Sequence, residues 1–467
     1  MSVPASPLDL ARQHRLHIVG VGGPGMSAIA LALAQMGHKV SGSDLRERPV
    51  LDRLRAAGVV VTVGHQRSHV HGCDAVTSST AVPADLNELD EARRLGLPVL
   101  SRAGMLASIC ACARSLGVAG THGKTTTSSM LMLILAEAGL RPSFVIGGDV
   151  TDMGTGAQWT GGEWFVVEAD ESDGTHLELP LHGTILLNVD TDHLDHYGSF
   201  DRIVDGFDRY LSQIDGPKIV CGDDPVAARL AAEHGATTYG TSEGVDVRAV
   251  DVRAARGNLT FVVERAGEHL VDVSLPLRGV HNVRNATAAL AMAVAIGVDP
   301  AVATAALAKF GGVARRFDIR GMDRGATFVD DYAHLPSEIA AVLDAARRSD
   351  DGWRRVVAVF QPNRYNRMAE IWADYGASFA DADLVVLTDI YSSGTQPIPG
   401  VTGKLVVNAV LDHDPLTRVA WLPKRDDLVT FLAGEIRDGD VCISMGCGDI
   451  ATLPDEVLAA RRGSPDR

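Results

Sequence analysis

Eight residues do most to limit what this chain can fold into. Gly120-Thr121-His122-Gly123-Lys124-Thr125-Thr126-Thr127 follow the strand-like run Leu116-Gly117-Val118-Ala119 and lead into an apolar helix from Met130 to Ala138. A strand, a glycine loop and a helix in that order make a phosphate-binding loop. The glycines let backbone N–H groups approach phosphate oxygens, the helix start adds its dipole, Lys124 neutralises the outer phosphates and the Thr125 hydroxyl can ligate magnesium. Val118 stands where the usual pattern has its first glycine, so the loop is a shortened variant. ATP is the ligand these residues predict.

A chain of 467 residues, 46% of them hydrophobic, has room for roughly three domains of about 150 residues with large cores. The net charge of −16 argues against a general nucleic-acid surface, which needs a basic excess. Its longest apolar stretch, about 286–298, is too short to cross a bilayer, and the N-terminal region reaches a strand (His17 to Gly20) without the apolar core of a signal peptide. A cytoplasmic protein is expected. The six cysteines, at 73, 110, 112, 221, 442 and 447, lack metal-ligand spacing and read as reduced thiols.

Strands alternate with helices almost throughout, which predicts α/β architecture with parallel sheets covered on both faces. Three blocks emerge. The first runs from strand His17 to Gly20 through helix Met26 to Met36 and strand Lys39 to Gly42 to Pro98-Val99-Leu100. The second opens at the phosphate loop, carries strands at Trp164 to Glu168 and Thr184 to Asn188, a hairpin-like stretch from Asp246 to Leu277, and helices around Asn285 and Val302. A third begins near Arg315 and repeats the alternation through Val356 to Phe360, Leu384 to Leu387, Val419 to Leu422 and Val441 to Ser444, with Gly311-Gly312 as the hinge before it. Domain boundaries are expected at 1–112, 113–313 and 314–467.

In the first block, Gly20-Val21-Gly22-Gly23-Pro24-Gly25 fits a dinucleotide fingerprint, with Asp44 about 20 residues on as a ribose ligand. Such a turn serves any nucleotide diphosphate, so a UDP-linked ligand fits as well as NAD. In the second block, Glu168-Ala169-Asp170-Glu171-Ser172-Asp173 and Asp190-Thr191-Asp192-His193-Leu194-Asp195-His196 end apolar strands. Carboxylates at strand ends facing a phosphate loop are the usual hard ligands for magnesium. Glu168 and His193 are the expected ligands, although an imidazole is unusual for that ion and His193 could instead hold a neighbouring carboxylate.

These motifs, together with Gly279-Val280-His281-Asn282-Val283-Arg284-Asn285-Ala286, Arg315-Arg316-Phe317-Asp318, Asp330-Asp331-Tyr332-Ala333-His334, Phe360-Gln361-Pro362, Pro397-Ile398-Pro399-Gly400 and Gly446-Cys447-Gly448-Asp449, run collinearly over nearly the whole chain. The chain resembles the Mur ligase family. That resemblance implies three α/β domains: an N-terminal Rossmann-like domain binding UDP, a central P-loop ATPase domain with a mixed sheet, and a Rossmann-like C-terminal domain binding an amino acid. It implies ATP-dependent ligation of L-alanine to the carboxylate of UDP-N-acetylmuramate in peptidoglycan synthesis. The muramate carboxylate would take the γ-phosphoryl of ATP, and the amine would then displace phosphate from the acyl phosphate. The cofactor implied is magnesium, for which manganese may substitute, with ATP as co-substrate. No nucleic-acid or membrane partner is implied, and a monomer or homodimer is expected. Because the substrates bind on separate domains, the third domain is expected to swing in over them.

Site roles follow from the same resemblance. Lys124, His193 and Arg316 would be catalytic. Gly120, Thr121, His122, Gly123, Lys124, Thr125, Thr126, Asn282, Asn285, Arg316 and Asp331 would bind ATP, with the two asparagines on adenine and Asp331 on ribose. Gly20, Gly22, Gly23, Gly25, Met26, Ser43, Asp44, Ser78 and Arg102 would bind the UDP substrate. His334, Arg364 and Arg367 would form the alanine pocket, where a guanidinium fork suits a carboxylate. Thr125, Glu168 and His193 would bind metal.

Sibling ligases that add later residues carry a carbamylated lysine about fifteen residues past the histidine of the D-H-x-D motif. Asp208 falls there in this chain and the next lysine is Lys218, as the alanine-adding branch implies. Leu335, Asn363, Asn366, Met368 and the stretch Ser392 to Gln396 depart from the family pattern, all in the third block. Three rivals remain open at this point: a ligase recycling a preformed tripeptide onto the same sugar nucleotide, a silent UDP-sugar-binding relative, and a nicotinamide oxidoreductase suggested by the first glycine loop alone.

Overall fold

The structure is a computed structural model that describes residues 7–79, 81–192 and 197–463. These fall into two compact units. One holds the described residues up to 251 together with 261–275 and 284–311; the other holds 252–260, 276–283 and those from 312 onward.

Parallel strands buried on both faces read as near-continuous apolar runs, and such strands form the centres of three sheets. The first has five parallel strands in the order Val60–Val63, Lys39–Asp44, Arg15–Val19, Ala75–Ser78, Val99–Ser101. Strand order reverses on either side of Arg15–Val19, so the glycine loop leaving that strand opens at a topological switch point, where α/β sheets bind ligands. Register sets Val19 beside both Ser43 and Ser78 at this edge.

The second sheet has ten strands, in the order Glu268–Leu275, Asn258–Arg265, Val247–Ala255, Thr237–Gly240, Lys218–Cys221, Gly183–Leu186, Arg114–Ala119, Trp164–Glu168, Ser143–Val150, Thr155–Gln158. Its centre is parallel and its Thr155–Gln158 edge antiparallel, the mixed sheet expected. The hairpin-like stretch forms its three-stranded outer end. Ser143–Val150 and Thr155–Gln158 were not foreseen, because Gly147, Gly148, Gly154 and Gly156 interrupt the apolar pattern that marks a strand.

The third sheet runs Asp318–Asp323, Ala326–Asp331, Asp440–Met445, Arg355–Phe360, Leu384–Leu387, Val419–Trp421, parallel except for its first strand. Among the described residues no helix is long and apolar enough to cross a membrane, and all six cysteines are free thiols.

The strand that delivers the phosphate loop is packed to its limit. A Cβ on Gly117 would lie 2.4 Å from Leu181 Cδ1 and 2.8 Å from the Tyr210 hydroxyl, which shares a hydrogen bond of 2.6 Å with Thr184 on the neighbouring strand. Overpacking of this kind costs about 1–3 kcal/mol. Gly117→Ala is therefore expected to lower the thermal midpoint by several degrees in calorimetry; an unchanged midpoint would show that Leu181 and Tyr210 give way freely.

Candidate functional site

The phosphate loop lies at the C-terminal edge of the central strands because Ala119 is in register with Leu186 and Val118 with Glu168. Gly120 (φ +125°) and Gly123 (φ +86°) take backbone conformations that side chains disfavour. A Cβ on Gly120 would stand 3.0 Å from the backbone of Asn188, and one on Gly123 would stand 2.8 Å from Asn285 Oδ1. The loop is pinned from the adjoining strand end. Asn188 accepts from the His122 N–H at 2.8 Å and returns a bond to the His122 carbonyl at 3.0 Å, while His122 Nε2 meets Asp190 Oδ2 at 2.8 Å.

Lys124 opens the helix Lys124–Glu137, whose first turn is almost wholly buried. Its ammonium donates to the Gly120 carbonyl at 2.6 Å and to the two Glu171 oxygens at 2.7 and 3.0 Å. Burial works against that charge, but Glu171, Asp170 and Glu168 hold it above the usual lysine range. Glu171 was not singled out from sequence. It lies within the acidic run Glu168 to Asp173, and position alone does not say which carboxylate the lysine takes.

Burial pushes the Glu168 carboxyl up, opposed by the Gly147 amide, which donates to it at 2.7 Å, by Lys124, and by the Thr125 hydroxyl. Glu168 and Thr125 are thus brought together as two hard oxygen donors beside the loop. Asp170 is drawn down to about 2, against burial, by Lys124 and Arg102. His193 lies outside the described residues.

Arg102 joins this edge to the first glycine loop. It reaches Asp173 at 2.9 Å and Asp170 at 3.1 Å, and would sit 3.4 Å from a Cβ on Gly25. Asp44 accepts from the Gly22 amide at 2.9 Å. Met26 and Ser43 are buried, the Ser43 hydroxyl donating to Glu88 at 2.8 Å, while Ser78 is half-buried at its strand end. A cavity of about 280 Å³ extends from this loop (Gly22, Pro24, Ser27) to Ile146, Gly147 and Thr155. Gly147 is the residue whose amide binds Glu168, so the cavity ends beside the oxygen donors.

The other unit presents a separate set. Both Asp331 oxygens are taken by backbone amides, of Phe317 and Ala333, each at 2.7 Å. Burial nonetheless pushes the Asp331 carboxyl up to about 6. Arg316 lies 5.1 Å from the Tyr332 ring centre, whereas Arg315 is committed to Asp330 at 3.0 Å. Asn282 donates to the Arg278 carbonyl at 2.8 Å. His334 Nδ1 is 3.1 Å from the Tyr332 carbonyl and 3.3 Å from Glu338.

Arg367 is buried and donates to Asn363 at 3.2 Å, and Arg364 begins the helix Tyr365–Ile371 with φ +59°. Both guanidinium groups act to lower the Cys447 thiol, which burial raises. Asn363, a departure from the family pattern, therefore has a structural partner in Arg367. The departures Leu335 and Met368 are buried apolar residues.

Three family models match in order: "Mur ligase family, catalytic domain" over residues 15–114, "Mur ligase middle domain" over 118–293 and "Mur ligase, glutamate ligase domain" over 315–448. The chain is 46% identical to the UDP-N-acetylmuramate--L-alanine ligase of Acidothermus cellulolyticus, covering 98% of this chain and 97% of that one. It is 41% identical to the ligase of the same name from Pelobacter propionicus, covering 93% and 95%. Among solved structures, the UDP-N-acetylmuramate-alanine ligase of Thermotoga maritima superposes with a TM-score of 0.82 at 28% identity, covering 97% of this chain and 100% of that one. A murein peptide ligase of Psychrobacter arcticus gives 0.67 at 26%, with the same coverage. This chain belongs to the Mur ligase family.

Proposed function

We propose that this chain is the alanine-adding enzyme of that family, joining L-alanine to the carboxylate of UDP-N-acetylmuramate with cleavage of ATP to ADP and phosphate, in the cytoplasm. The observation that carries the reading is the 41% and 46% identity to ligases of that name over more than nine-tenths of each chain. The reading divides the chain into a UDP-binding domain (1–112), an ATP-binding domain (113–313) and an amino-acid-binding domain (314–467).

The chemistry answers a physical difficulty. An amine displaces nothing useful from a carboxylate, whose leaving group would be oxide. A substrate carboxylate oxygen therefore attacks the γ-phosphorus, the bond to the ADP oxygen breaks, and the resulting acyl phosphate gives up phosphate when the free amine attacks its carbon. Phosphoryl transfer asks the protein for position and charge neutralisation. Lys124, held at the loop by Glu171, supplies the positive charge, and the loop amides cradle the phosphates.

The donor set fits magnesium: Thr125 and Glu168 are adjacent hard oxygens, and burial raises the Glu168 carboxyl, a cost that a bound cation would offset. Bound there with ATP, the ion would withdraw phosphate charge; we assign His193 as a further ligand. Arg102 and the first glycine loop hold the UDP moiety, so that the cavity ending at Gly147 directs the muramate carboxylate toward Lys124. Arg316 and Asp331 are assigned to ATP, and His334, Arg364 and Arg367 to alanine.

The reading is tested by ADP release from purified protein with magnesium, ATP and UDP-N-acetylmuramate, comparing acceptors. L-Alanine is expected to exceed glycine by about tenfold or more, the discrimination one methyl group allows. Preference for the tripeptide would instead favour the recycling reading, and the Psychrobacter structure is named a murein peptide ligase. For the site itself, Lys124→Met is expected to lower kcat/KM about 10³-fold or more and also to lower the thermal midpoint, because it strands the Glu171 charge. Adding Glu171→Gln should recover the midpoint and leave activity lost. Recovery of activity in the double variant would remove Lys124 from the chemistry.

A further inference from the structure

The first unit contains a second polar cluster, away from the phosphate loop. His17 on the strand Arg15–Val19, His65 and His69 following the strand Val60–Val63, and Glu88 in the first turn of the helix Asn87–Arg94 converge within the N-terminal sheet and its covering segments. Glu88 is 0% and His17 2% exposed. Glu88 Oε1 lies 2.5 Å from His69 Nδ1, and Oε2 lies 2.7 Å from His65 Nδ1 and accepts from the Ser43 hydroxyl at 2.8 Å.

The informative atom is His17 Nε2, which is buried and makes no hydrogen bond, although it points at Glu88 Oε1 from 3.6 Å. The other ring nitrogen, Nδ1, is 2.9 Å from Ser41 Oγ, which also lies 3.3 Å from the Leu16 carbonyl. When the Ser41 proton goes to that carbonyl, Nδ1–H donates to Ser41 and Nε2 presents a lone pair. In that state a lone pair faces a carboxylate oxygen with both shut off from water, an arrangement that costs free energy until a cation lies between them. The separation of 3.6 Å is close to the ligand-to-ligand spacing of about 3.3 Å that bonds near 2.0–2.1 Å impose in a tetrahedral site.

We propose that His17 Nε2, His69 Nδ1 and Glu88 Oε1 bind one zinc ion. Each of the three residues offers a ligand atom within 4.8 Å of those of the other two, and Oε1 lies 3.6 Å from His17 Nε2 and 2.5 Å from His69 Nδ1. The set is imidazole-rich, which suits zinc and not magnesium. His65 stays on the other Glu88 oxygen, Oε2, at 2.7 Å and lies outside this three-residue group. Ser41 holds the His17 ring by its remote nitrogen, as partners of metal-binding histidines do. Binding opens the His69 contact from its present 2.5 Å to ligand spacing, a movement available to a side chain at the rim of the cluster. The ion ties together three segments beneath Ser43, whose carbonyl accepts from the Gly20 and Val21 amides, and so stiffens the floor of the first glycine loop.

The full-length protein, stripped with chelator and kept in excess magnesium, is titrated with zinc, desalted and analysed for metal; cobalt is substituted in parallel for its visible spectrum. One zinc per chain, a tetrahedral cobalt spectrum and a thermal midpoint raised by several degrees are expected, with all three lost in His69→Ala. His17→Gln provides a second variant should His69→Ala fail to fold. Absence of stoichiometric zinc in the unsubstituted protein overturns the proposal and leaves a protonated hydrogen-bonded cluster. Equal zinc in folded variants also overturns it.

Discussion

A buried ammonium must be compensated, and much of the candidate site is arranged around the compensation of Lys124. Glu171 supplies the opposite charge and the Gly120 carbonyl a second acceptor, so the lysine is folded back against the loop it serves. Breaking such a buried pair by removing one partner costs about 3–5 kcal/mol. The pairing also constrains ligand binding: phosphate oxygens must compete with Glu171 and with a backbone carbonyl for the same three protons. Asp170 and Arg102 extend the charge balance outward, so the positive groups of the two glycine loops meet through one acidic run.

Both glycine loops leave parallel strands at the edge where helix starts and strand ends converge, but the sequence around each differs. In the first, Asp44 occupies the Gly22 amide and the Ser43 carbonyl those of Gly20 and Val21, so the loop at the switch point is braced by the strand beside it. In the second, a lysine held by Glu171 and a threonine paired with Glu168 stand at the loop, the set to which the proposed function gives reacting phosphates. The cavity ending at Gly147 lies beside the first loop on the same unit, and under the proposed function such proximity would make the phosphoryl transfer an oriented one.

The central elements were legible because they are extreme in pattern: apolar strands such as Val356 to Phe360, and a strand-glycine-helix sequence with few alternative folds. The strands Ser143–Val150 and Thr155–Gln158 were not, since their glycines remove the alternation that betrays a half-buried strand, and it is one of these that delivers the Gly147 amide to Glu168. Glu171 and the His17–Glu88 cluster were missed for another reason. Their partners are 47 and 71 positions away along the chain, and spacing carries no signal at that range. The resemblance named Asn363 as a departure; the structure adds that its side chain accepts from the buried Arg367, which a histidine would do with different geometry.

The central claim is that the phosphate loop activates a carboxylate. It is tested most directly with UDP-N-acetylmuramate carrying oxygen-18 in both carboxylate oxygens, by mass analysis of the inorganic phosphate released during ligation to L-alanine. The account predicts one labelled oxygen in each phosphate, because the oxygen that attacks phosphorus leaves with it. Unlabelled phosphate accompanying amide formation would contradict an acyl phosphate and with it the role assigned to Lys124.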